Sequence, residues 1–155
     1  MSAPALVVEA VERLCQRFEN NDYNPTPLID LGVLVANADG KIDPEELETL
    51  REILEPILGA QLNAELVGFL VTASLKVITA AGSEPRARLI AEILMDCDAV
   101  EDGMLVALAI AYGKGGGIAP AERALLSAIA EATDLPEERL DALTKQVKDA
   151  LAKKG

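Results

Sequence analysis

The segment Ile42-Asp43-Pro44-Glu45-Glu46 returns 76 residues later as Ile118-Ala119-Pro120-Ala121-Glu122, with Ile, Pro and Glu in register. Each copy follows an apolar run and opens an amphipathic one. A junction repeated at a fixed period marks supersecondary units that bury their apolar faces only against each other. The pattern predicts an all-α single domain of seven or eight helices built from two repeated halves. The halves span about 26–81 and 83–155, and a further helix lies within residues 1–25.

Helical periodicity runs through nearly the whole chain, and strand alternation is absent. Abundant Ala and Leu, with four aromatic residues in 155, favour helices over strands. The first helix spans about Ala5 to Glu19 and the second about Pro27 to Ala38. The third begins at Pro44 and buries Leu47, Leu50, Leu54, Ile57 and Leu58. The fourth, about Asn63 to Ala81, has two apolar faces: Leu66, Phe69, Leu70, Ala73 and Val77 on one, Val67, Val71, Leu75 and Ile78 on the other. Such a helix is expected to be surrounded by others. Gly82 stops it, and Ser83 is placed to cap the fifth, about Glu84 to Cys97. The sixth, about Gly103 to Tyr112, is almost entirely apolar and must be central. The seventh spans about Pro120 to Thr133. Asp134 is placed to cap the eighth, whose wet face carries Asp141, Lys145, Asp149 and Lys153 at i,i+4 spacing.

Charge narrows the function classes. The chain has 26 acidic and 14 basic residues, a net charge of −12, and no histidine. Phosphate binding needs clustered Lys and Arg, so a nucleic-acid partner is not expected. Histidine-ligated metals and histidine-based catalysis are excluded. No Ser or Cys has a histidine partner and nothing marks a catalytic pocket, so the chain reads as a non-enzyme. Cys15 and Cys97 lie on apolar helical stripes, as reduced core thiols do. With no basic leader and no apolar run of about 20 residues, the sequence reads as a cytoplasmic protein without membrane insertion.

The first repeat junction concentrates oxygen ligands. Asp30, Asn37, Asp39, Asp43 and Glu46 are spaced to converge there, and a hard divalent cation takes six to eight oxygens. The same residues also suit plain helix capping: Asp43 as N-cap, Pro44 at the first helical position, Glu46 at the capping-box position, and Asp39-Gly40 as a turn. Set against an EF-hand loop, Gly40 falls at position six and Glu46 at position twelve. Val35 then occupies position one, where calcium needs an acid, so only a degenerate EF-hand-like calcium binder would result.

Ala36-x-Ala38-Asp39-Gly40-x-Ile42-x-x-x-Glu46, with its second copy ending at Glu122, resembles the TerB family of bacterial tellurite-resistance and stress proteins. The N-terminal domain of a membrane-anchored DnaJ-type co-chaperone shares the motif. The resemblance covers roughly residues 26–150. It implies a helical fold of two repeated halves, a metal-binding acidic surface, and protein partners in membrane-associated stress complexes. Its acidic positions map onto Asp39 and Glu46, and onto Glu122 in the second half, where Lys114-Gly115-Gly116 replaces the Asp-Gly turn. The candidate metal set is therefore Asp39, Glu46, Asp43, Asp30 and Glu122, for a divalent cation of unspecified identity. The alternative is an acidic helical protein-interaction module without metal.

Two further features stand out. Asp96, Asp98, Glu101 and Asp102 form an acidic cluster before the sixth helix, where Asp98 and Asp102 suit capping and the helix dipole. The run Tyr112-Gly113-Lys114-Gly115-Gly116-Gly117 lacks the phosphate-loop spacing and reads as an inter-helix turn.

Overall fold

The computed structural model describes residues 4–23, 26–38, 40, 42, 44–58, 64–113 and 118–154, without the side chains of 26, 54, 56–58, 64, 66, 67 and 154. Among these residues there are eight helices and no strand. They are α1 (Ala5–Asn20), α2 (Thr26–Ala36), α3 (Pro44–Leu58), α4 (Ala64–Ala81), α5 (Ser83–Asp96), α6 (Val100–Tyr112), α7 (Pro120–Ala132) and α8 (Glu137–Lys154). The all-helical class expected from periodicity holds, and no described helix is long and apolar enough to cross a membrane.

Helix α6 is the axis of the molecule. Every residue from Asp102 to Ala111 is buried, and α1, α2, α3, α5, α7 and α8 all pack on it. A helix walled in on all sides must be apolar all round, which is how its sequence reads. Helix α2 is the second core helix, buried from Leu28 to Ala36 and packed on α3, α4, α5, α6 and α7. Gly32 lets α2 lie close to its neighbours, since a Cβ there would sit 2.4 Å from Leu50 Cδ2 and 3.2 Å from Ile110 Cδ1.

Three helices end alike. Beyond α1, α5 and α7, the chain turns left-handed at Asp22 (φ 62°), Asp98 (φ 52°) and Asp134 (φ 57°). The next amide then reaches back to close the helix: Tyr23 N to Phe18 O, Ala99 N to Leu94 O, Leu135 N to Ala130 O, each 2.8 Å. Each closure brings an apolar residue over the last turn, the usual companion of this motif. Two expectations change here. Asp134 closes α7 rather than capping α8, which starts three residues later at Glu137. Asp98 closes α5, and α6 begins behind Ala99 with no side-chain cap. Aspartate suits both a helix start and a left-handed turn, so its presence alone did not decide between them. Ser83 is likewise inside α5, and Gly82 (φ 92°) holds the N-cap position.

The largest departure concerns α4. Val71, Ser74 and Ile78 are buried, on a face that packs against α2, α3 and α5. The second apolar face is covered only in part, with Leu70 half-buried. Phe69 is 65% exposed and Val77 44%, and Ala73 between them is exposed as well.

Candidate functional site

Asp30 lies on α2 and is buried. Its Oδ1 accepts a hydrogen bond from Ser74 Oγ at 2.6 Å, and its Oδ2 accepts from Arg86 Nη2 in a short ion pair. Protein donors from α4 and α5 therefore hold both carboxylate oxygens. Arg86 is itself largely covered, with 19% of its side chain exposed, so its charge is drawn inward from the α5 surface. Of the other predicted ligands, Asp39 and Asp43 lie outside the described residues.

Glu46 and Glu122 occupy matching places. Each is the third residue of a helix that opens on proline, α3 at Pro44 and α7 at Pro120. Each is completely buried. Glu122 Oε1 accepts from the Ala119 amide at 3.2 Å. This is one half of a capping box; Ala119 has no side-chain oxygen with which to return the bond. An acid in the first turn also meets the positive end of the helix dipole. Among the described residues no group of three or more Cys, Asp or Glu side chains is placed to hold a metal ion.

Around the start of α6, three of the four clustered acids are paired with arginines. Arg13 on α1 pairs with Asp102 at 2.9 Å, Arg17 reaches Asp98 at 3.4 Å, and Arg139 on α8 grips Glu101 with two bonds of 2.8 and 2.6 Å. The hydrogen bonds from Arg139 hold the Glu101 carboxyl below its ordinary range. These pairs line an open groove of about 620 Å³ and tie α1 and α8 to the start of α6. The sequence showed the acids; their arginines come from 38 to 89 residues away. Cys97 is buried and Cys15 half-buried, and burial pushes both thiols up from their usual range.

The feature that sequence reasoning missed is the outer face of α4. Phe69, Ala73 and Val77 follow one another at i,i+4 along the helix, so they form one stripe. The charged residues exposed on this helix are Glu65 and Lys76. Helices α3 and α5 pack against α4 beside the core helix α2. Helix α3 carries Glu45, Glu48, Glu52 and Glu55 around Arg51, whose guanidinium is engaged by Glu48 and Glu55. Helix α5 exposes Glu84, Arg88 and Glu92, with Arg88 paired to Glu84. A signal for this face did exist in the sequence: 76 residues on, Phe69, Ala73 and Val77 become Lys145, Asp149 and Lys153.

Comparison with protein-family models, with curated proteins and with solved structures finds no match to this chain.

Proposed function

We propose that this chain is a non-enzymatic protein-interaction module that meets its partner through the outer face of α4. The observation that carries this reading is the exposed stripe of Phe69, Ala73 and Val77. Large apolar side chains gathered on one surface of a soluble domain mark contact sites, whereas single ones mean little. The acidic-surface and protein-partner implications of the TerB-like resemblance belong to the same reading.

We further read the molecule as two four-helix units, α1–α4 and α5–α8, related by an internal two-fold. Helix α1 is then the counterpart of α5 rather than an addition to the first half. Two observations support this. Exchanging α1 with α5, α2 with α6, α3 with α7 and α4 with α8 turns every packed pair into another packed pair among the described residues, apart from α5 with α6. At a spacing of 76, buried residues also meet buried residues: Leu14 and Ile90, Phe18 and Leu94, Glu46 and Glu122, Leu50 and Leu126, Ile53 and Ile129, Val71 and Val147. On this reading α4 and α8 are equivalents, and an unpartnered apolar face on one alone is not a demand of the fold.

A photoreactive amino acid at position 73, with the same substitution at 149 as control, tests the contact surface in the cells of origin. A discrete adduct from 73, identified by its crosslinked peptide, with none from 149, is expected. Equal labelling at both positions would remove the reading. Calorimetric titration with Ca²⁺, Mg²⁺, Mn²⁺ and Zn²⁺ tests the cation-binding alternative. Saturable heat abolished by Asp39→Ala would establish that function instead.

A further inference from the structure

A groove of about 450 Å³ opens between α7 and α8, with α6 contributing Leu108 and Tyr112 to its lining. We propose that it binds a small zwitterion, an α-amino acid with an apolar side chain. The ammonium meets Glu137 and Asp141 on α8, the carboxylate meets Arg123 on α7, and the side chain rests on the apolar floor. The site draws on no described residue of α4, so it stands or falls apart from the contact surface.

The lining is sorted by depth. Leu108 and Leu126 are buried, Tyr112 and Leu140 are half-buried, and Arg123, Ser127, Glu137 and Asp141 are exposed at the rim. An apolar bed with a few polar groups around it is the usual make-up of a small-molecule site, and the volume lies in the usual range. Helix geometry separates the charges. Glu137 and Asp141 stand at i,i+4 on α8, and Arg123 and Ser127 stand at i,i+4 on α7, so each pair shares a face. One wall is therefore anionic, while the other carries a guanidinium and a hydroxyl. Among the described residues none of the three charged side chains is taken up in an ion pair. The groove at the start of α6 differs in this respect, since Arg13, Arg17 and Arg139 each already hold a carboxylate there.

The fold does not require a cation at this place. The residue 76 positions before Arg123 is Leu47, which is half-buried and packed against the core. Arg123 thus departs from the apolar solution used in the first half. The two walls together select the ligand. A purely anionic molecule meets Glu137 and Asp141, a purely cationic one meets Arg123, and like charges brought together are costly. A divalent cation takes six to eight oxygens, and two carboxylates beside a guanidinium do not supply them. A zwitterion satisfies both walls, and the fork of Arg123 suits a carboxylate, which it takes with two parallel bonds. Lys148 Nζ lies 5.3 Å from the centroid of the Tyr112 ring, an attraction that holds the ring in place as part of the wall.

The test uses the whole chain with L-phenylalanine and L-leucine as probes, and two analogues as controls. Phenethylamine keeps the ammonium and lacks the carboxylate; hydrocinnamate keeps the carboxylate and lacks the ammonium. Ligand-observed NMR titration in the millimolar range should show saturable binding of L-phenylalanine, at least about tenfold tighter than either analogue, or 1.4 kcal/mol. Arg123→Leu, which writes in the residue that the first half carries, should weaken L-phenylalanine at least about tenfold and leave phenethylamine unchanged or tighter. Glu137→Gln with Asp141→Asn should weaken L-phenylalanine and phenethylamine but not hydrocinnamate. Damage to the fold would weaken all three ligands together, so the opposite selectivities of the two variants report the site itself. No saturation by either amino acid would overturn the proposal, as would equal binding of L-phenylalanine to the native chain and to Arg123→Leu. Phenethylamine bound as tightly as L-phenylalanine would overturn it in favour of a simple cation site.

Discussion

Helices α4 and α8 have the same length, 18 residues each, and each packs on a core helix, α4 on α2 and α8 on α6. Their inner faces match: Val71 and Val147 are both buried, and Leu75 and Leu151 are both half-buried. Their outer faces do not match. Helix α4 turns Phe69, Ala73 and Val77 to solvent, where α8 turns Lys145, Asp149 and Lys153. The inner faces answer to the core, and a core constrains both helices in the same way. The outer faces are free of that constraint, so a difference between them reports on something outside the fold. Fully covering a Phe or Val side chain is worth roughly 1.5–3 kcal/mol each. A partner on α4 therefore has a source of affinity that α8 lacks.

The difference extends beneath α4. Asp30, Ser74 and Arg86 lie between α2, α4 and α5, and the positions 76 residues away are Val106, Ala150 and Ala10. An apolar interface suffices in one place, and an ion pair occupies the other. Breaking the pair should produce the largest effect on the molecule. Asp30→Ala leaves Arg86 half-sequestered without its carboxylate and should cost about 3–5 kcal/mol in urea unfolding. Asp30→Val with Arg86→Met, which copies the apolar solution while keeping volume, should be neutral or more stable by about 1–4 kcal/mol. If the double variant is as unstable as the single one, the ion pair is a requirement of the fold, and the comparison with the α6–α8 side loses its force.

The helix ends sharpen the comparison from another side. Asp22 and Asp98 stand 76 apart and both adopt left-handed backbone. Glycine takes that conformation freely, and an acid at a helix C-terminus opposes the dipole. Asp22→Gly and Asp98→Gly should each raise stability by about 1 kcal/mol or less, the gain at 98 being slightly reduced by loss of the exposed Arg17 pair. Thermal melts of the two single variants check this. Clearly unequal gains would mean that the two ends differ in environment despite their common geometry.

A smaller effect follows from the Glu101–Arg139 pair, which ties α8 to α6. Its hydrogen bonds lower the Glu101 carboxyl below the ordinary value of 4.5. The unfolded chain therefore binds this proton more readily. The contribution is present above the ordinary value and fades as pH falls through the lowered one. Both side chains are nearly half exposed, so solvent screening limits the contribution to a few tenths of a kcal/mol. Glu101→Gln should remove that part of the acid-side decline in urea midpoints and leave the decline elsewhere unchanged.

Much of this fold was legible from periodicity and punctuation. The axis was visible because α6 is apolar all round, and proline marked the starts of α3 and α7. What escaped has physical causes. Apolar periodicity reports how many faces of a helix are apolar, not how many neighbours exist to cover them, so α4 read as enclosed. Asp134 carries no mark that separates a helix start from a left-handed helix end. The partners of Asp30 and Asp102 come from 56 and 89 residues away, and no local pattern announces a pairing at that range. Asp30 also looked like one ligand among several near the first junction, while its own helix turns it towards Ser74 and Arg86.

The outer face of α4 should be free of any duty to the fold. Thermal unfolding of Phe69→Lys/Ala73→Asp/Val77→Lys, which writes the α8 surface onto α4, tests it most directly. A cooperative melt within about 0.5 kcal/mol of the native chain is expected, as for exposed substitutions elsewhere. A loss of several kcal/mol, or of cooperativity, would mean that these side chains are core residues and that no contact surface exists there.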